Sequence, residues 1–598
     1  MNTLVWVLAG LVAYMAIVLT LKTRGLLPES VRIQGPLATL HTTRGRAFLE
    51  WLARPRRFWR AWSNAGLGVA LVIMAGMFVL LLLRGVSILQ NPPAPTAVNR
   101  PQNFLVIPGV NQFLPLSVAP EIVFGLLVGL VVHEGGHGLL CRVEDIDIES
   151  LGLVFLTVVP VGAFVEPDEE SQREADRGSR ARMFAAGVTN NFAITVVAFA
   201  LLFGQVIGSI GLAPGVPIQA SYPGSPAAAA GIANGDRITA VAGTSVTTQQ
   251  QLDAALLSTP DRTVPVTIDG ERTVDVRRSL IVAGSIGGNP ANLTVRPNEK
   301  PIRVTAVNGT PVFTQAGFHR AVDNRTFAEL STSKGSRVIP VGAYVTQVMP
   351  NGPLANASAP VNASLVVTHV GGERVTSSAD LGRVLDGLSP GRTVQVRAYV
   401  DGGVETYDVT LGRNPQDGNG FLGVNLFSGT SGLLLTDFGV RTYPAGTYLA
   451  LLGGHGGPNT PRLTGTVVDS PLGLVYVALV LPLASVVLGI PNFPGFTHAV
   501  RNFYVVQGPL GILGGGTFLL ANALFWTAWI NLQLGVFNCI PGYPLDGGRI
   551  LRTVTEAVVA RLPVERPHAL VRTVTTSVGL VMLASLLLIV VGPSLLSG

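Results

Sequence analysis

Residues 131–140 read VVHEGGHGLL and lie inside an apolar run that begins at Ile122. His133 and His137 are one helical turn apart, so in a helix their side chains face the same way, as two ligands of one metal ion require. Glu134 is then placed to act on a water molecule at that metal. Because ionisable side chains at membrane depth are costly, this triplet indicates a functional site within a membrane-spanning helix.

The composition of the chain is that of a membrane protein. Of its 598 residues, 48% are hydrophobic and only 13% are charged, whereas about 25% are charged in an ordinary soluble protein. Its mean hydropathy is +0.46. The net charge of +6 comes from basic residues beside apolar segments, which favours a role in membrane topology and argues against a nucleic-acid partner. Cys141 and Cys539 form no disulfide framework and are interpreted as small buried hydrophobic residues.

Seven apolar stretches predict a polytopic α-helical membrane protein with about six to seven spanning or re-entrant segments. The first lacks a basic start and a small-residue cleavage site, so we interpret it as a retained anchor. The fifth cannot be a simple crossing if its neighbours are. It is either re-entrant, folding back through residues 489–496, or accompanied by a hidden short span near 500–520. The stretches are about 3–21, 65–83, 122–141, 184–212, 472–490, 512–538 and 574–596.

The basic loops predict the orientation of the chain. Residues 22–63 carry nine lysines and arginines and residues 84–121 carry two, so the first loop should be cytoplasmic and the second external. His133 and His137 then fall nearer the cytoplasmic surface. Within the next cytoplasmic stretch, residues 151–167 are rich in Pro, Gly and β-branched residues, a composition that predicts a hairpin dipping toward the histidines.

Between about 213 and 470 the composition changes to Gly, Ser, Thr, Asp and β-branched residues. No run there can span a bilayer, so this region is predicted to be a soluble, β-rich insert. One pattern, a strand, a Gly-containing turn and a short helix, recurs from Arg237, Ile302 and Leu365. Five Asn-x-Ser/Thr sequons favour an extracytoplasmic position for the insert; they begin at Asn292, Asn308, Asn324, Asn356 and Asn362.

Residues 222–238, YPGSPAAAAGIANGDRI, resemble the PDZ domain, and residues 348–360 are a looser version. The resemblance implies PDZ-like modules at 213–299 and 341–412, with a partial repeat or insertion at 300–340 and a linker region at 413–470. PDZ domains bind extended peptides, commonly at a C-terminal carboxylate, so peptide C-termini are possible partners. The alternative is a set of structural β-modules that act as spacers or size filters.

A third metal ligand is predicted far along the chain, in VFNCIPGYPLDGGRIL at 536–551. An apolar helix breaks there at Asn538 and the prolines, and Asp546 follows. Non-helical backbone at this depth is tolerated only where protein or a water-filled cavity satisfies it, so the break itself indicates a site. Without the histidine motif, an ordinary helix end followed by Pro and Gly would be the simpler interpretation. The arginines after Asp546 predict that this end is also cytoplasmic.

Together these segments resemble the site-2 protease family of intramembrane zinc metalloproteases. His133, Glu134 and His137 match its first motif, and residues 538–547 match its Asn-x-x-Pro-x-x-Pro-Leu-Asp-Gly segment. Residues 162–170 and 185–192 also look like family segments, and the resemblance covers about 120–212 and 500–560.

The resemblance implies a Zn²⁺ ion held by His133, His137 and Asp546, with Glu134 as general base and Asn538 as a residue that binds the substrate or the oxyanion. It also implies an endopeptidase that cleaves transmembrane segments of single-span membrane proteins, in regulated intramembrane proteolysis. The active site would lie near the cytoplasmic side of the membrane.

Two other classes remain as alternatives. A membrane-anchored PDZ adaptor could keep a structural metal site, although a structural zinc needs no general base such as Glu134. A metal transporter would need ionisable residues in several spans, and outside the two motifs the predicted spans are nearly free of charge. The remaining domain predictions are N-terminal helices with a basic loop at 1–121, membrane core at 122–212 and 471–560, and a last transmembrane helix at 561–598.

Overall fold

The computed structural model describes residues 3–26, 28, 30–34, 37–42, 44–93, 103, 106–156, 159–296, 299–323, 325–361, 363–414, 418–454, 470–487 and 490–596. The sequons at Asn324 and Asn362, the hairpin turn at 157–158 and residues 455–469 of the expected linker lie outside these ranges. The chain forms two compact units. The first comprises Met1–Gly211, Gly446–Thr497 and Val506–Gly598, and the second comprises Leu212–Ala445 and His498–Val505.

The helices are numbered along the chain. They are α1 (Thr3–Thr23), α2 (Arg44–Leu52), α3 (Arg56–Gln90), α4 (Ala119–Val143), α5 (Glu169–Glu174), α6 (Arg177–Leu201), α7 (Pro226–Ala229), α8 (Gln249–Ser258), α9 (Gln315–Val322), α10 (Pro353–Asn356), α11 (Ser378–Asp386), α12 (Ala445–Leu451), α13 (Pro471–Val480), α14 (Ala484–Val487), α15 (His498–Arg501), α16 (Gly516–Asn538), α17 (Asp546–Val559) and α18 (Pro567–Leu596).

Five helices of the described chain are long and apolar enough to cross a membrane: α3, α4, α6, α16 and α18. A π-helical segment, Leu202–Val206, continues α6. The sequence prediction of a membrane protein with an inserted β-rich region is therefore confirmed, while the number of spans stays a prediction. The stretch predicted at 184–212 ends earlier than expected, because Ile210–Leu212 is a strand.

The stretch predicted at 472–490 is broken rather than continuous. α13 is followed by a 3₁₀ turn, Leu481–Leu483, and then by the four-residue α14. The backbone N–H of Phe493 donates to the carbonyl of Leu481 at 2.9 Å, so the chain turns back beside the end of α13. Whether this segment is re-entrant, as in one of the two expected alternatives, stays a prediction. Between 500 and 515 the described chain has the end of α15, a short strand and a 3₁₀ helix.

Glycines allow the three central helices to approach closely. A Cβ on Gly125 of α4 would lie 2.9 Å from the backbone carbonyl of Trp526 in α16, and one on Gly136 would lie 2.8 Å from the carbonyl oxygen of Ala186 in α6. Such backbone-to-backbone contacts need small residues, since a side chain would push the helices apart. Helix α4 is thereby held between α6 and α16.

A four-stranded antiparallel sheet lies beside these helices, in the order β1 (Val31–Gln34), β2 (Leu37–His41), β3 (Ile148–Leu156), β4 (Val159–Pro167). Strands β3 and β4 form the hairpin that the composition of 151–167 predicts. Strand β4 is at the edge of the sheet, and no described strand pairs with its outer edge.

The second unit contains three six-stranded sheets of one design. The first sheet consists of β6 (Val216–Ser221), β7 (Arg237–Val241), β8 (Thr244–Ser245), β9 (Thr263–Ile268), β10 (Arg272–Arg277) and β25 (Val440–Thr442). The second, middle sheet consists of β11 (Ile281–Ser285), β12 (Ile302–Val307), β13 (Thr310–Pro311), β14 (Phe327–Thr332), β15 (Gly335–Pro340) and β24 (Leu433–Thr436). The third sheet consists of β16 (Ala343–Val348), β17 (Leu365–Val370), β18 (Glu373–Arg374), β19 (Thr393–Val400), β20 (Gly403–Thr410) and β23 (Val424–Leu426). A hairpin, β21 (Gly412–Arg413) and β22 (Gly420–Phe421), and two short strands, β5 (Ile210–Leu212) and β26 (Tyr504–Val506), complete the set.

The middle sheet corrects the expectation of an incomplete copy. Its strand order, β15-β14-β12-β11-β24, is the order of the other two sheets, β10-β9-β7-β6-β25 and β20-β19-β17-β16-β23. Each sheet encloses a separate apolar core. The middle module lacks the Gly-Ser-Pro-Ala segment that marked the first. Asn289 instead orders its loop by donating to the carbonyls of Ile286 and Leu293.

The expected linker at 413–470 also differs from the prediction. Its residues 424–442 supply the last strand of all three sheets, in reverse order, so that the third sheet is completed first and the first sheet last. Between the strands of the second and first sheets lies Asp437, which forms a fully buried ion pair with Arg278. The same carboxylate accepts the backbone N–H of Gln315 at 2.9 Å. This polar cluster joins the first and second modules.

Candidate metal centre

Helix α4 brings His133 and His137 to one face, as the four-residue spacing requires. Both side chains are buried, with relative exposures of 6% and 8%. Their rings meet edge to face with centroids 4.8 Å apart, and their Nε2 atoms are 3.2 Å apart. The two nitrogens that could bind a metal therefore converge on one point.

Asp546 reaches the same point from α17, of which it is the first residue. The preceding segment turns so tightly that a Cβ on Gly547 would lie 2.4 Å from the carbonyl oxygen of Ile540 and one on Gly548 would lie 2.6 Å from the carbonyl carbon of Gly542. Only glycine fits at both positions. The Pro-Leu-Asp-Gly-Gly sequence is thus explained by a compact break that places a carboxylate against α4.

The three side chains form a group suited to a cation. Oδ2 of Asp546 lies 3.1 Å from Nε2 of His133 and 3.2 Å from Nε2 of His137, yet this buried oxygen accepts no hydrogen bond of acceptable geometry. A tetrahedral zinc ion with bonds of about 2.0 Å holds its ligand atoms about 3.3 Å apart. The spacing and the orphaned oxygen both fit Zn²⁺, with these residues as its ligands.

Each histidine ring is fixed on its far side by a residue of α6. Nδ1 of His137 lies 2.8 Å from the carbonyl oxygen of Met183, and Nδ1 of His133 lies 3.1 Å from Nδ2 of Asn191. Such outer contacts set which ring nitrogen carries the proton and orient the metal-binding nitrogen. Asn191 is fully buried, and its Oδ1 has no partner.

Gly187 explains how α6 can come so close to the histidines. A Cβ at this position would lie 2.7 Å from Cε1 of His133 and 2.7 Å from Nε2 of His137. Real Cβ atoms essentially never approach so closely. The glycine in the AAGVTNNF segment is therefore required by the metal group itself.

Glu134 belongs to the same turn of α4 but does not join the three ligands. Its Oε2 accepts the backbone N–H of Val165 in the edge strand β4 at 3.1 Å. Its side chain also lines an almost entirely apolar cavity of about 670 Å³, as does the adjacent Gly135. A carboxylate beside the metal group and open to a cavity is placed as a general base requires.

The other predicted site residue, Asn538, is not one of the three metal-binding residues. Asn538 is the half-buried last residue of α16. In the described chain its side chain makes no hydrogen bond to the ligands or to Glu134, so its role toward the substrate or the oxyanion stays a prediction. Cys141 and Cys539 are buried among apolar side chains.

The sequence alone does not indicate the roles of Met183, Gly187 and Asn191. The segment 185–192 was recognised as a family segment, but nothing in it indicated which residue faces which histidine. The available signal was a glycine followed by three polar residues, Thr189, Asn190 and Asn191, within the apolar part of α6, since buried polar groups in membranes need a partner.

A helical membrane unit that holds two histidines, a distant aspartate and a neighbouring glutamate defines the class of zinc metalloproteases of membranes. Comparison with known families agrees. The sequence model of Peptidase family M50 matches residues 121–586, well over half of the chain. The chain therefore belongs to Peptidase family M50, the site-2 protease family.

Two similar proteins illustrate the match. "Uncharacterized protein MJ0971" of Methanocaldococcus jannaschii is 30% identical over 173 residues, which cover 28% of this chain and 43% of that protein. "Putative zinc metalloprotease Rip3" of Mycobacterium tuberculosis is 50% identical over 34 residues, 6% of this chain and 9% of that protein. The chain thus matches less than half the length of either relative.

Proposed function

We propose that this protein is an intramembrane zinc endopeptidase that cleaves transmembrane segments of single-span membrane proteins. The observation that carries the proposal is the position of Glu134. It lies between two zinc ligands in sequence, makes no part of the ligand set, and faces both a strand edge and an apolar cavity. A metal site kept for structure alone has no use for such a group.

When bound, zinc supplies the Lewis acidity that lowers the pKa of water and polarises a carbonyl group. The protein residues do the rest. His133, His137 and Asp546 hold the ion, and Glu134 accepts the proton of the attacking water and later donates it to the leaving amine. The buried, largely apolar surroundings exclude other water and strengthen these electrostatic interactions.

The substrate has to expose a peptide bond that a helix hides. Strand β4 offers a solution, because its outer edge carries backbone groups that another extended chain can pair with. The N–H of Val165 on that edge is bonded to Glu134, so a substrate strand added there would run past the general base. We infer that the substrate unwinds locally and pairs with β4 before it is cleaved.

The experiment that tests this function is the substitution Glu134→Gln in the full-length protein with a single-span model substrate. We expect zinc content to be unchanged and cleavage to fall by several orders of magnitude, as for the loss of a group used only in the transition state. Glu121→Gln, the same change in the first turn of α4, is the matched control and should retain cleavage. Full cleavage by the Glu134 variant would refute the assignment, and loss of zinc together with cleavage would indicate a ligating role.

The insert has a separate proposed role. We propose that the modules of residues 213–442 select substrates, either by obstructing proteins with bulky external domains or by binding peptide C-termini, as the PDZ resemblance implies. The three sheets, whose last strands all come from residues 424–442, support the first version, because a folded body can exclude a folded partner without contact with the catalytic residues. A membrane-anchored adaptor with a structural metal is the alternative function, and it predicts partner binding without cleavage.

A further inference from the structure

The apolar cavity beside Glu134 has one wall that the family match does not include. Helices α4 and α6 and the β3–β4 hairpin form most of the lining, and the remaining side comes from the chain between Thr42 and Trp62. The family model begins only at residue 121. The N-terminal segment of this chain is therefore part of the surroundings of the proposed catalytic base.

Hydrogen bonds and an ion pair join this wall to α6 and to the end of α4, and its two helices to each other. The indole Nε1 of Trp62 donates to Oδ1 of Asn190 in α6 at 3.0 Å, and Nε1 of Trp59 donates to the carbonyl of Leu52 at 2.8 Å. Arg56 pairs with Asp145, just after α4, at 2.7 Å. Because both indole N–H groups are already satisfied, the wall presents hydrocarbon and aromatic surface to the cavity.

The chemistry of the cavity restricts what can occupy it. Its volume of about 670 Å³ is within the range of ligand-binding cavities, about 300–1,000 Å³. A polar occupant would lose its hydrogen bonds to water without gaining others from the lining, which disfavours it. Ala163, Phe164 and Val165 of β4 line the same cavity. A chain paired with that strand would therefore pass along the cavity, and because successive side chains of a strand point to opposite faces, only some of them would enter it.

We propose that Thr42 and residues 44–62 build a subsite for a large apolar side chain, such as Leu or Phe, of the substrate segment next to the cleaved bond. The subsite deepens the proposed protease function and rests on it. Continuity with Glu134 and with the edge of β4 identifies the occupant as the substrate, since both open into this one cavity.

The test uses model substrates that carry Ala, Leu or Phe at one position near the cleaved bond. We expect the full-length enzyme to favour Leu and Phe over Ala by about 10- to 100-fold in kcat/KM, the usual value of an apolar pocket. Ala193→Phe, on the α6 wall, should fill the cavity and reverse the preference, and Phe48→Ala, on the N-terminal wall, should weaken it. The matched control is Val196→Phe, because Val196 is three residues further along α6, is 67% exposed and does not line the cavity.

Two readouts separate this subsite from the proposed function. Peptide affinity measured with the inactive Glu134→Gln protein should show the same order, with the Phe peptide weakened at least tenfold by Ala193→Phe. The subsite would be overturned if neither cavity variant altered the preference for Leu and Phe over Ala, or if peptide affinity did not depend on the size of the side chain. Normal affinities with no turnover by the unaltered enzyme would overturn the protease function and leave the subsite standing.

A second inference comes independently from the partner of His133. For Nε2 of a histidine to bind zinc, Nδ1 has to carry the proton and donate it. For His137 the condition is met, because its Nδ1 faces the carbonyl of Met183, which can only accept. For His133 the nearest group is Nδ2 of Asn191, which is itself a donor.

The unpartnered Oδ1 of Asn191 resolves this conflict. The two ends of a carboxamide have nearly the same shape, so a half-turn of the amide brings Oδ1 to the place of Nδ2. That turn would give Oδ1 its missing partner and His133 the acceptor it needs. The geometry thus assigns Asn191 as a positioning residue that holds the proton on Nδ1 of His133 and leaves Nε2 free for zinc.

Zinc affinity, measured by competition with a chelator, tests this assignment without reference to cleavage. Asn191→Leu should weaken zinc binding by about 10- to 100-fold, the usual effect of losing an outer-shell partner, whereas Asn191→Asp retains an acceptor and should bind zinc at least as tightly. Thr195→Val, one turn along α6, is the matched control and should leave affinity unchanged.

Two outcomes would overturn the role of Asn191: unchanged affinity in Asn191→Leu, or equal weakening by Asp and Leu. If Leu prevents folding, Asn191→Ala takes its place in the same comparison with Asn191→Asp.

Discussion

Gly187 provides the sharpest test of the metal centre, because its replacement by alanine adds a single carbon at a known place. The new Cβ would lie 2.7 Å from atoms of both histidines, while ordinary contact begins at 3.4 Å. Either α6 or the rings must therefore move by about 0.7 Å. The rings are held from behind at 2.8 Å and 3.1 Å, so such a movement disturbs the ligand geometry directly.

We expect Gly187→Ala to raise the zinc dissociation constant at least tenfold, since metal sites tolerate displacements of only about 0.5 Å. Overpacking should also lower the free energy of unfolding by about 1–3 kcal/mol. The sign of the change in the free energy of unfolding is informative, because replacing glycine by alanine in an unobstructed helix usually stabilises by about 0.5–1 kcal/mol. Gly135→Ala is the control for both measurements, since a Cβ there meets nothing within 4 Å.

The assays are chelator competition and thermal unfolding of the purified protein in detergent, with zinc present and removed. If Gly187→Ala binds zinc as tightly as the unaltered protein and unfolds at the same or a higher temperature, α6 does not press on the histidines as described. A loss of stability that persists equally without zinc, at unchanged zinc affinity, would also refute the link between Gly187 and the metal group.

Further predictions concern the third ligand, the insert and the membrane border. Asp546→Ala should lose zinc on metal analysis and Cys539→Ala should keep it; the reverse result would exchange their roles. Cysteines introduced at Asn308 and Asn356 should react with an impermeant thiol reagent in intact cells, and labelling only after lysis would reverse the predicted orientation. Deletion of residues 213–442 should keep zinc and extend cleavage to substrates with bulky external domains; unchanged selectivity would make the insert a spacer. Burial would raise the pKa of Glu144, but arginine and serine partners outweigh it and lower the pKa. Its stabilising effect is thus present above the ordinary carboxyl pKa, about 4.3, and lost as the pH falls through the folded-state pKa, so Glu144→Gln should flatten acid unfolding curves.

The ligands could be predicted from the sequence because their signals are local. Two histidines four residues apart need only a helix to converge. Asp546 follows a helix broken by prolines, and such a break at membrane depth by itself indicates a site. The role of Asn191 could not be predicted in this way. Its contact with His133 depends on the rotation of α6 about its own axis, which is fixed by the approach at Gly187 and not by any residue next to Asn191 in sequence.

The insert shows the same division. The strand, turn and helix repeats were visible because each lies within about twenty residues. The closing strands were not, because β24 and β25 pair with strands more than 140 residues earlier, and such pairing leaves no local pattern in the sequence. The three-residue strand Ile210–Leu212 was absorbed into the predicted span for a related reason: its residues are as apolar as those of the helix before it.

The reverse order in which residues 424–442 complete the three sheets has a consequence for synthesis and inheritance. The ribosome releases five strands of the first module early, but the sixth, β25, follows more than 160 residues after β10, behind both other modules. Until β25 is released, the core of the first module remains open at one side, so the first module is completed after the other two. The third module is one continuous segment, from Ala343 to Leu426, and can be removed or exchanged by itself. The second module encloses it in sequence and the first encloses both, so neither of these can be cut out as one continuous segment without the modules that lie within it.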